Sequence, residues 1–532
     1  MKKLIYSIAG ALLLGFASCD SLDLAPEDFA AANSFWQNEA QVGTFMNGLH
    51  SQLRDKYGAM MDLGELRGGT MINGTSSIGT SLNSSSVIRN DIRTNNTHSD
   101  WYGFYSLILQ VNHFIDEVEN GCSFLSESKR NAYLAKAYGI RAYYYFQLYR
   151  MYGGVPLELD LKVMGGSIDL ESLYMEQSSA EEVLAAIKKD IKASEDAYAA
   201  SNDSFDKYQW SKYATLFLKA EVYLWSAKVK TNDYKEPHLP TGKTDLEVAE
   251  SALNSIINSN QFALLGNFAD NFDFSKKSSN KEAILTMYFN RNEKTHDGAN
   301  YVYTPSLVVG SWFTPEGEKM TDVLQLGTSG IVRYEWKESF VKSFDVEDSR
   351  RAATFLEYYR TADQTGFGSS MLKRIGHVES GTRYMDNDLV MMRYADVLLM
   401  MAEVQNGLTG TCASWLNQVR KRAYGTNWSE DFAYTDGDYA ANELAILQER
   451  SKEFVSEGKR WYDVIRLHDA NKEPLVFSTA AAYPEEIGGE ALPILNKDKE
   501  VHKLLWSVHL NVLNGDPKLK QTWGYNEAEG IK

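Results

Sequence analysis

The sequence predicts a mostly α-helical protein built of stacked helix pairs, and three observations carry that prediction. Apolar residues recur at three- and four-residue spacing in long stretches on both sides of the chain's middle. Those stretches start and stop on capping residues. Small residues also sit at matching places in them, as crossing helices require: Phe217-Leu218-Lys219-Ala220-Glu221-Val222 is echoed by Leu399-Met400-Met401-Ala402-Glu403-Val404, and Ala135 and Ala137 open a comparable face. The echo has no regular period, so spacing alone gives helix pairs and not their number.

The first helical block runs from about Ser34 to Val229. Within Trp101 to Val118, residues Trp101, Phe104, Tyr105, Ile108, Val111, Ile115 and Val118 line one face. Lys129 to Tyr152 is a second helix, rich in Ala and Tyr. It stops at Gly153-Gly154 with Pro156 just beyond. Ser179-Ala180-Glu181-Glu182 is a capping box for a helix through Tyr198. Tyr208 to Val229 follows, with Ala214, Leu218, Val222 and Trp225 on one face. Helical patterning returns over Leu389–Gln405, Cys412–Tyr424 and Tyr439–Leu467.

The middle, residues 261–384, has a different texture. Asn, Gly, Ser and Thr cluster there between short extended runs such as Ala283 to Phe289 and Tyr301 to Thr304. The expected organisation is a single domain over residues 33–532. Its helical body spans about 33–260 and 385–532, and an irregular insertion spans 261–384.

The N-terminus reads as an export signal. Met1-Lys2-Lys3 precedes an apolar run of about 13 residues from Leu4 to Phe16, short for a membrane span at ~1.5 Å per residue. Ala17-Ser18-Cys19 then resembles a bacterial lipobox, with Phe16 where an aliphatic residue is usual. The resemblance implies cleavage after residue 18 and acylation of Cys19, and two or more acyl chains suffice for stable anchoring. The alternative is a plain signal peptide with an incidental cysteine. Residues 19–32 form an acidic tether carrying Asp20, Asp23, Glu27 and Asp28. Such a start resembles a surface-export signal, and it also reads as a merely solvated linker.

Composition narrows the function. The formal net charge is -17, with acidic residues spread along the chain, which disfavours nucleic acid. After the leader no apolar stretch reaches membrane length. Besides Cys19 there are Cys122 and Cys412, either a pair or two buried thiols. Catalytic and cofactor motifs (H-E-x-x-H, C-x-x-C, P-loop, G-x-S-x-G) are missing, so no catalytic residue, cofactor or metal is assigned. Asp436-Gly437-Asp438 and the Asp270–Asp273 stretch lack the spacing of a calcium loop. Glu449, Glu453, Glu457 and Asp463 are a carboxylate cluster of the kind glycosidases use. However, Glu453 and Glu457 stand four apart on an expected helix among Arg450, Arg460 and Arg466, so an ion-pair network is the better account.

Several stretches taken together resemble the SusD/RagB family of Bacteroidetes surface lipoproteins. They begin with Arg141-Ala142-Tyr143-Tyr144-Tyr145-Phe146-Gln147-Leu148 leading into Tyr152-Gly153-Gly154-Val155-Pro156. Next come Arg393-Tyr394-Ala395-Asp396-Val397-Leu398-Leu399-Met400 with Ala402-Glu403, then Asn417-Gln418-Val419-Arg420. Glu449-Arg450, Glu453-Phe454, Glu457-Gly458, Arg460-Trp461-Tyr462-Asp463 and Arg466 follow. The set closes with Asp516-Pro517-Lys518-Leu519-Lys520-Gln521-Thr522 and Gly524-Tyr525. The order is the family's, from lipobox to C-terminus. Ser507 and Trp523 depart from expected prolines, and the stretch around Gln177 lacks the usual Arg.

The resemblance implies an α-α superhelix of four tetratricopeptide-like helix pairs, with a ligand site built largely from insertions. It implies capture of oligosaccharides at the outer face of the outer membrane and delivery to a SusC-like TonB-dependent transporter. The RagB branch handles peptides instead, and an envelope scaffold without ligand is the third reading. Arg141, Arg393, Arg420 and Arg466 are expected to tie helices together.

Sugar binding needs aromatic faces for pyranose C–H surfaces and polar side chains for hydroxyls, both on loops over a rigid body. Two stretches qualify. Glu65 to Trp101 is long and polar, with Arg67, Asn73, Arg89, Asn95, Asn96 and His98. Asn300 to Trp336 gathers Tyr301, Tyr303, Trp312, Phe313 and Trp336. The expected ligand residues are Trp312, Tyr301, Tyr303, Asn73, Arg67, Trp101 and Trp336. Trp101 doubles as a core candidate at the start of its helix. Trp336 fits a half-buried hairpin, and Tyr301 and Tyr303 would share one strand face.

Overall fold

The computed structural model describes residues 35–75, 82–161, 170–231 and 238–525. The signal segment, Cys19 and the acidic tether lie outside the described residues. Among these residues, nine helices exceed ten residues: α1 (Glu39–Glu65), α2 (Tyr102–Asp116), α3 (Glu127–Tyr152), α4 (Ala180–Ala199), α5 (Lys212–Lys228), α6 (Lys243–Ile257), α7 (Tyr394–Thr409), α8 (Ala413–Tyr424) and α9 (Tyr439–Glu453).

Successive helices pack as four pairs: α1 with α2, α3 with α4, α5 with α6 and α7 with α8. Each pair also touches the next, giving a stack with one continuous apolar core. The fold is therefore the mostly α, tetratricopeptide-like stack that the sequence predicts. α3 runs through its centre. From Gly139 to Tyr152 every residue is buried, and Gly139 leaves room for Trp210, whose indole nitrogen lies 2.0 Å from where a Cβ would stand. α3 ends at Gly153, whose φ of 71° lets its N–H reach back to the Tyr149 carbonyl. The Ser179–Glu182 capping box forms in full at the start of α4.

Two sequence assignments change. Leu389–Arg393 is a strand, not the first turn of α7, and it pairs antiparallel with Ala283–Met287. Both strands are buried on both faces, so the apolar run carries no alternation to distinguish strand from helix. The expected helix Tyr439–Leu467 also breaks. α9 ends at Glu453, a turn follows, and a short helix resumes at Arg460–Arg466.

Between α6 and α7 the chain makes short strands and 3₁₀ turns. These include β-ladders of Phe355–Tyr359 with Phe367–Met371 and of His377–Glu379 with Thr382–Tyr384. A small second core of Val302, Tyr303, Val308, Met320 and Tyr358 lies under this region. Tyr334–Trp336 pairs antiparallel with the distant Met71–Asn73, which joins the polar stretch after α1 to the middle of the chain. No helix among the described residues is long and apolar enough to cross a membrane.

The arginines of the sequence motifs tie elements together. Arg141 on α3 makes a two-pronged bond to Asp190 on α4, at 2.7 and 2.8 Å. Arg466 reaches Glu403 on α7, and Arg420 on α8 reaches Glu449 on α9 at 2.8 Å. Glu453 is met by Arg350, Arg393 and Arg422. Glu457 lies in the turn after α9, not on the helix, and binds Arg393 and Lys373. The carboxylate cluster is thus fully engaged by buried guanidinium and ammonium groups. Cys122 and Cys412 are both buried and free, and burial with nearby Asp436 pushes the Cys412 thiol up to about 12.

Candidate ligand-binding site

The stretch after α1 is shaped by its pairing with the middle of the chain. Asn73, at the end of its strand, is exposed. Its amide donates to the Ser85 hydroxyl at 3.0 Å, and Arg89 donates to the same oxygen at 2.5 Å. One hydroxyl thus sets two polar side chains side by side. They line an open cleft with about 1370 Å³ of empty space, whose opposite wall is Lys337 and the loop 482–494. That wall is fixed to the paired strand by the Lys337 ammonium, which donates to the Tyr483 carbonyl at 2.8 Å. Arg89 and Lys337 share the lining with Glu485, Glu486 and Glu490, so neither sign of charge dominates.

Trp312 is half-buried at the surface of the small second core. Phe313 beside it exchanges backbone hydrogen bonds with Tyr359 at 2.8 and 2.9 Å, which fixes the loop against the Phe355–Tyr359 strand. The Trp312 ring meets Tyr358 edge-on at 5.3 Å, and the exposed Arg360 guanidinium lies 5.3 Å from its centre. Tyr358 in turn donates to Glu335 at 3.2 Å, and the other Glu335 oxygen accepts from the Thr75 N–H at 2.9 Å. Burial pushes the Glu335 carboxyl up, against these hydrogen bonds. A continuous set of contacts therefore runs from Trp312 to the backbone two residues beyond Asn73.

The other expected ligand residues take different positions. Tyr301 is buried in the main core at 5.3 Å from Tyr334 and 6.2 Å from Trp336, and its hydroxyl donates to Asp62. Tyr303 is buried in the second core and donates to Asp322 at 2.6 Å. The two tyrosines do not share a strand face, because a 3₁₀ turn over Gly298–Tyr301 rotates the chain between them. Trp336 is fully buried, and so is Glu335 beside it, since their strand is covered on both sides by the pairing with Met71–Asn73 and by the Phe355 strand. The expected half-buried hairpin is not formed. Arg67 is fully buried between the Trp461 and Trp506 rings. Tyr301, Tyr303, Trp336 and Arg67 thus offer no face to a ligand. Trp101 is nearly buried against Tyr152 and Tyr105, with one edge on a separate cleft.

Sequence reasoning passed over Arg360, Tyr483 and the loop 482–494. Nothing in their local patterns marks them, because they reach the clefts only through long-range pairing. Tyr102 was passed over as well, although an aromatic on the polar side of an amphipathic helix is a readable signal. Asp436 and Asp438 serve backbone N–H groups at the starts of α8 and α9. Among the described residues no cluster of His, Cys, Asp and Glu could hold a metal ion. The surfaces available are polar clefts and a tryptophan platform, which suit binding.

Comparison with known proteins agrees along nearly the whole length. The SusD family matches residues 361–525, and a second SusD-like family, described as starch-binding and associating with the outer membrane, matches residues 22–224. SusD-like protein P38 of Formosa agariphila is 24% identical, over 96% of this chain and 96% of that protein. Among solved structures, a SusD superfamily protein of Bacteroides fragilis is 35% identical with a TM-score of 0.83, covering 92% of this chain and 100% of that one. NanU of B. fragilis is 31% identical with a TM-score of 0.78, over 94% and 100%. On this evidence of sequence and fold, the chain belongs to the SusD/RagB family.

Proposed function

We propose that the protein captures oligosaccharides at the outer face of the outer membrane and passes them to a SusC-like TonB-dependent transporter. In this reading lipid on Cys19 holds it there. The observation that carries the proposal is the arrangement of a polar cleft at Asn73 and Arg89 with a half-buried Trp312 beside Arg360, linked through the buried Glu335 and Tyr358. It pairs amide and guanidinium donors with a half-exposed indole on a rigid helical stack. A pyranose ring stacks its C–H face on such an indole and gives its hydroxyls to such a rim. The description of the matching family, starch-binding and associating with the outer membrane, supports both ligand class and location.

The test is a glycan array, with a peptide pool in parallel, followed by calorimetry on whichever glycan binds. Trp312→Ala and Asn73→Ala should each weaken binding about two- to tenfold, the loss of one stacking or hydrogen-bonding contact. Unchanged isotherms for both variants would remove this surface from the site, and retention of peptides alone would replace the ligand class. Co-purification of the lipidated protein with a TonB-dependent transporter, lost on Cys19→Ala only as regards the membrane fraction, tests anchor and partner separately.

A further inference from the structure

A second cleft opens on the far end of the Glu65–Trp101 stretch, with about 1030 Å³ of empty space. Three remote segments build it: the start of α2, the chain just after α3 with Leu173 and Met175, and the C-terminal residues 511–519. Its lining is mostly apolar, formed by Trp101, Tyr105, Leu173, Met175, Val512 and Leu519. The walls are held in place. The Tyr105 hydroxyl donates to the Pro156 carbonyl at 2.6 Å, and Asp516 accepts from the Met175 N–H at 2.8 Å.

At the mouth stands Tyr102, 73% exposed, the most exposed aromatic ring among the described residues. A tyrosine this open at the edge of an apolar cleft presents a full ring face. The rim adds carboxylates. Asp100 accepts from the Tyr102 N–H at 2.9 Å and Asp516 from the Lys518 N–H at 2.9 Å, so each keeps acceptor capacity. Glu158 and Asn511 complete the polar lining. Among the described residues no lysine or arginine lines the cleft. The Lys518 ammonium sits on the Tyr174 carbonyl at 3.0 Å, and Lys56 lies over the Phe104 ring at 4.3 Å within electrostatic reach of Asp100, so their charge offsets part of the rim's.

We infer that this cleft is a second binding site, for a glycosyl unit that carries hydroxyl donors and no acidic group. A flat apolar ring face suits Tyr102 and the floor, and donors suit Asp100 and Asp516. An anionic sugar would meet the Asp100, Glu158 and Asp516 carboxylates, whose charge Lys56 and Lys518 offset only in part. The site is separate from the Asn73–Trp312 surface and does not depend on it.

The experiment probes one array of neutral and uronic-acid oligosaccharides, plus a pool of cationic peptides, with the native protein, Tyr102→Ala and Asn73→Ala. Tyr102 is too exposed to affect folding, and a thermal melt of the variant checks this. The expected result is at least one neutral glycan whose binding falls about fivefold or more in Tyr102→Ala while Asn73→Ala retains this component. Three outcomes overturn the inference: no neutral glycan bound, binding of every neutral glycan unchanged in Tyr102→Ala, or loss in Tyr102→Ala confined to acidic glycans or peptides. Failure of the Asn73–Trp312 reading looks different, with those variants unchanged while Tyr102→Ala loses affinity.

Discussion

The Arg67 guanidinium lies 3.8 Å from the centre of the Trp461 ring, fully buried, with Trp506 on another side and its Nε donating to Asn90 at 2.8 Å. A desolvated cation over an indole is worth about 2 kcal/mol, and the lost hydrogen bond and cavity add to it. Arg67→Ala is expected to lower unfolding free energy by roughly 3 kcal/mol, read from urea titration. Glycan affinity of the folded fraction should stay at the native value. A selective loss of affinity without loss of stability would return Arg67 to the binding site.

Glu453 is the hub of a buried network, met by Arg350 at 3.0 Å, by Arg393 at 2.5 Å and by Arg422. Burial works against its ionisation, and the three guanidiniums overcome it, holding the carboxyl well below the usual range. Glu453→Gln leaves these cations under-compensated in the core. Unfolding free energy should fall by about 3–5 kcal/mol at neutral pH. A midpoint shift under half of that range would mean that Glu282, Glu449 and Glu457 carry the network without it.

Near the end of α1, Asp62 and Glu65 behave in the opposite sense. Burial, then the neighbouring Asp297, pushes Asp62 from 3.8 up to about 7. Burial pushes Glu65 from 4.5 up to about 7, against N–H donors of Ser456 and Gly458. The folded state therefore binds these protons more tightly than the unfolded one. Their contribution to stability is complete below about pH 4 and is lost as pH rises through about 7. Glu453 contributes in the reverse direction, present above its unfolded value and lost only in acid. Comparing native protein with Asp62→Asn isolates the first effect: between about pH 5 and about pH 8 the native protein should lose more stability than the variant. Parallel curves would contradict the assignment.

Gly64 approaches the turn after α9 so closely that an added Cβ would stand 1.9 Å from the Gly458 carbonyl oxygen. Backbone on both sides cannot yield as a side chain would. Gly64→Ala should cost about 1–3 kcal/mol despite the better helix propensity of alanine. Gly48, in the same helix with open space beside it, is the control, and Gly48→Ala should stabilise by up to about 1 kcal/mol.

Contacts by stacking and neutral hydrogen bonds are little screened by salt. Affinity for the bound glycan should change less than about twofold between low and physiological ionic strength. A steep decline with salt, measured by calorimetry, would point to a charged ligand held by Arg89, Lys337 or Arg360.

The helix stack was legible because its signals are local. The Ser179 box, the Gly153 stop and the spacing of Ile108, Val111 and Ile115 each act within a few residues. The site was less so. Trp312 and Asn73 stood out because turn-rich sequence keeps their side chains from the core. Tyr301, Tyr303 and Trp336 have equally polar neighbours, yet pairing of Met71–Asn73 with Tyr334–Trp336 and the turn at Gly298 draw them inward. The pairing joins residues more than 200 apart, and no local pattern encodes it. Leu389–Arg393 shows the same limit for the fold, since a strand buried on both faces and a buried helix write the same run of letters.

The antiparallel pairing of Ala283–Met287 with Leu389–Arg393 has a consequence beyond packing. Glu282, just before one strand, binds Arg393, at the end of the other, at 2.8 Å. The excursion of about 100 residues between them leaves and re-enters the helical stack through these two strands, and the Glu282–Arg393 pair there is itself bound to Arg422, Glu453 and Glu457. Beyond those strands it is tied down again where Tyr334–Trp336 pairs with Met71–Asn73, where Arg350 meets Glu453 and where Lys373 meets Glu457, so only the loops between these fixed points can be lengthened, shortened or rewritten freely. A lineage facing a changing menu of ligands can therefore alter what the protein holds without renegotiating how it folds.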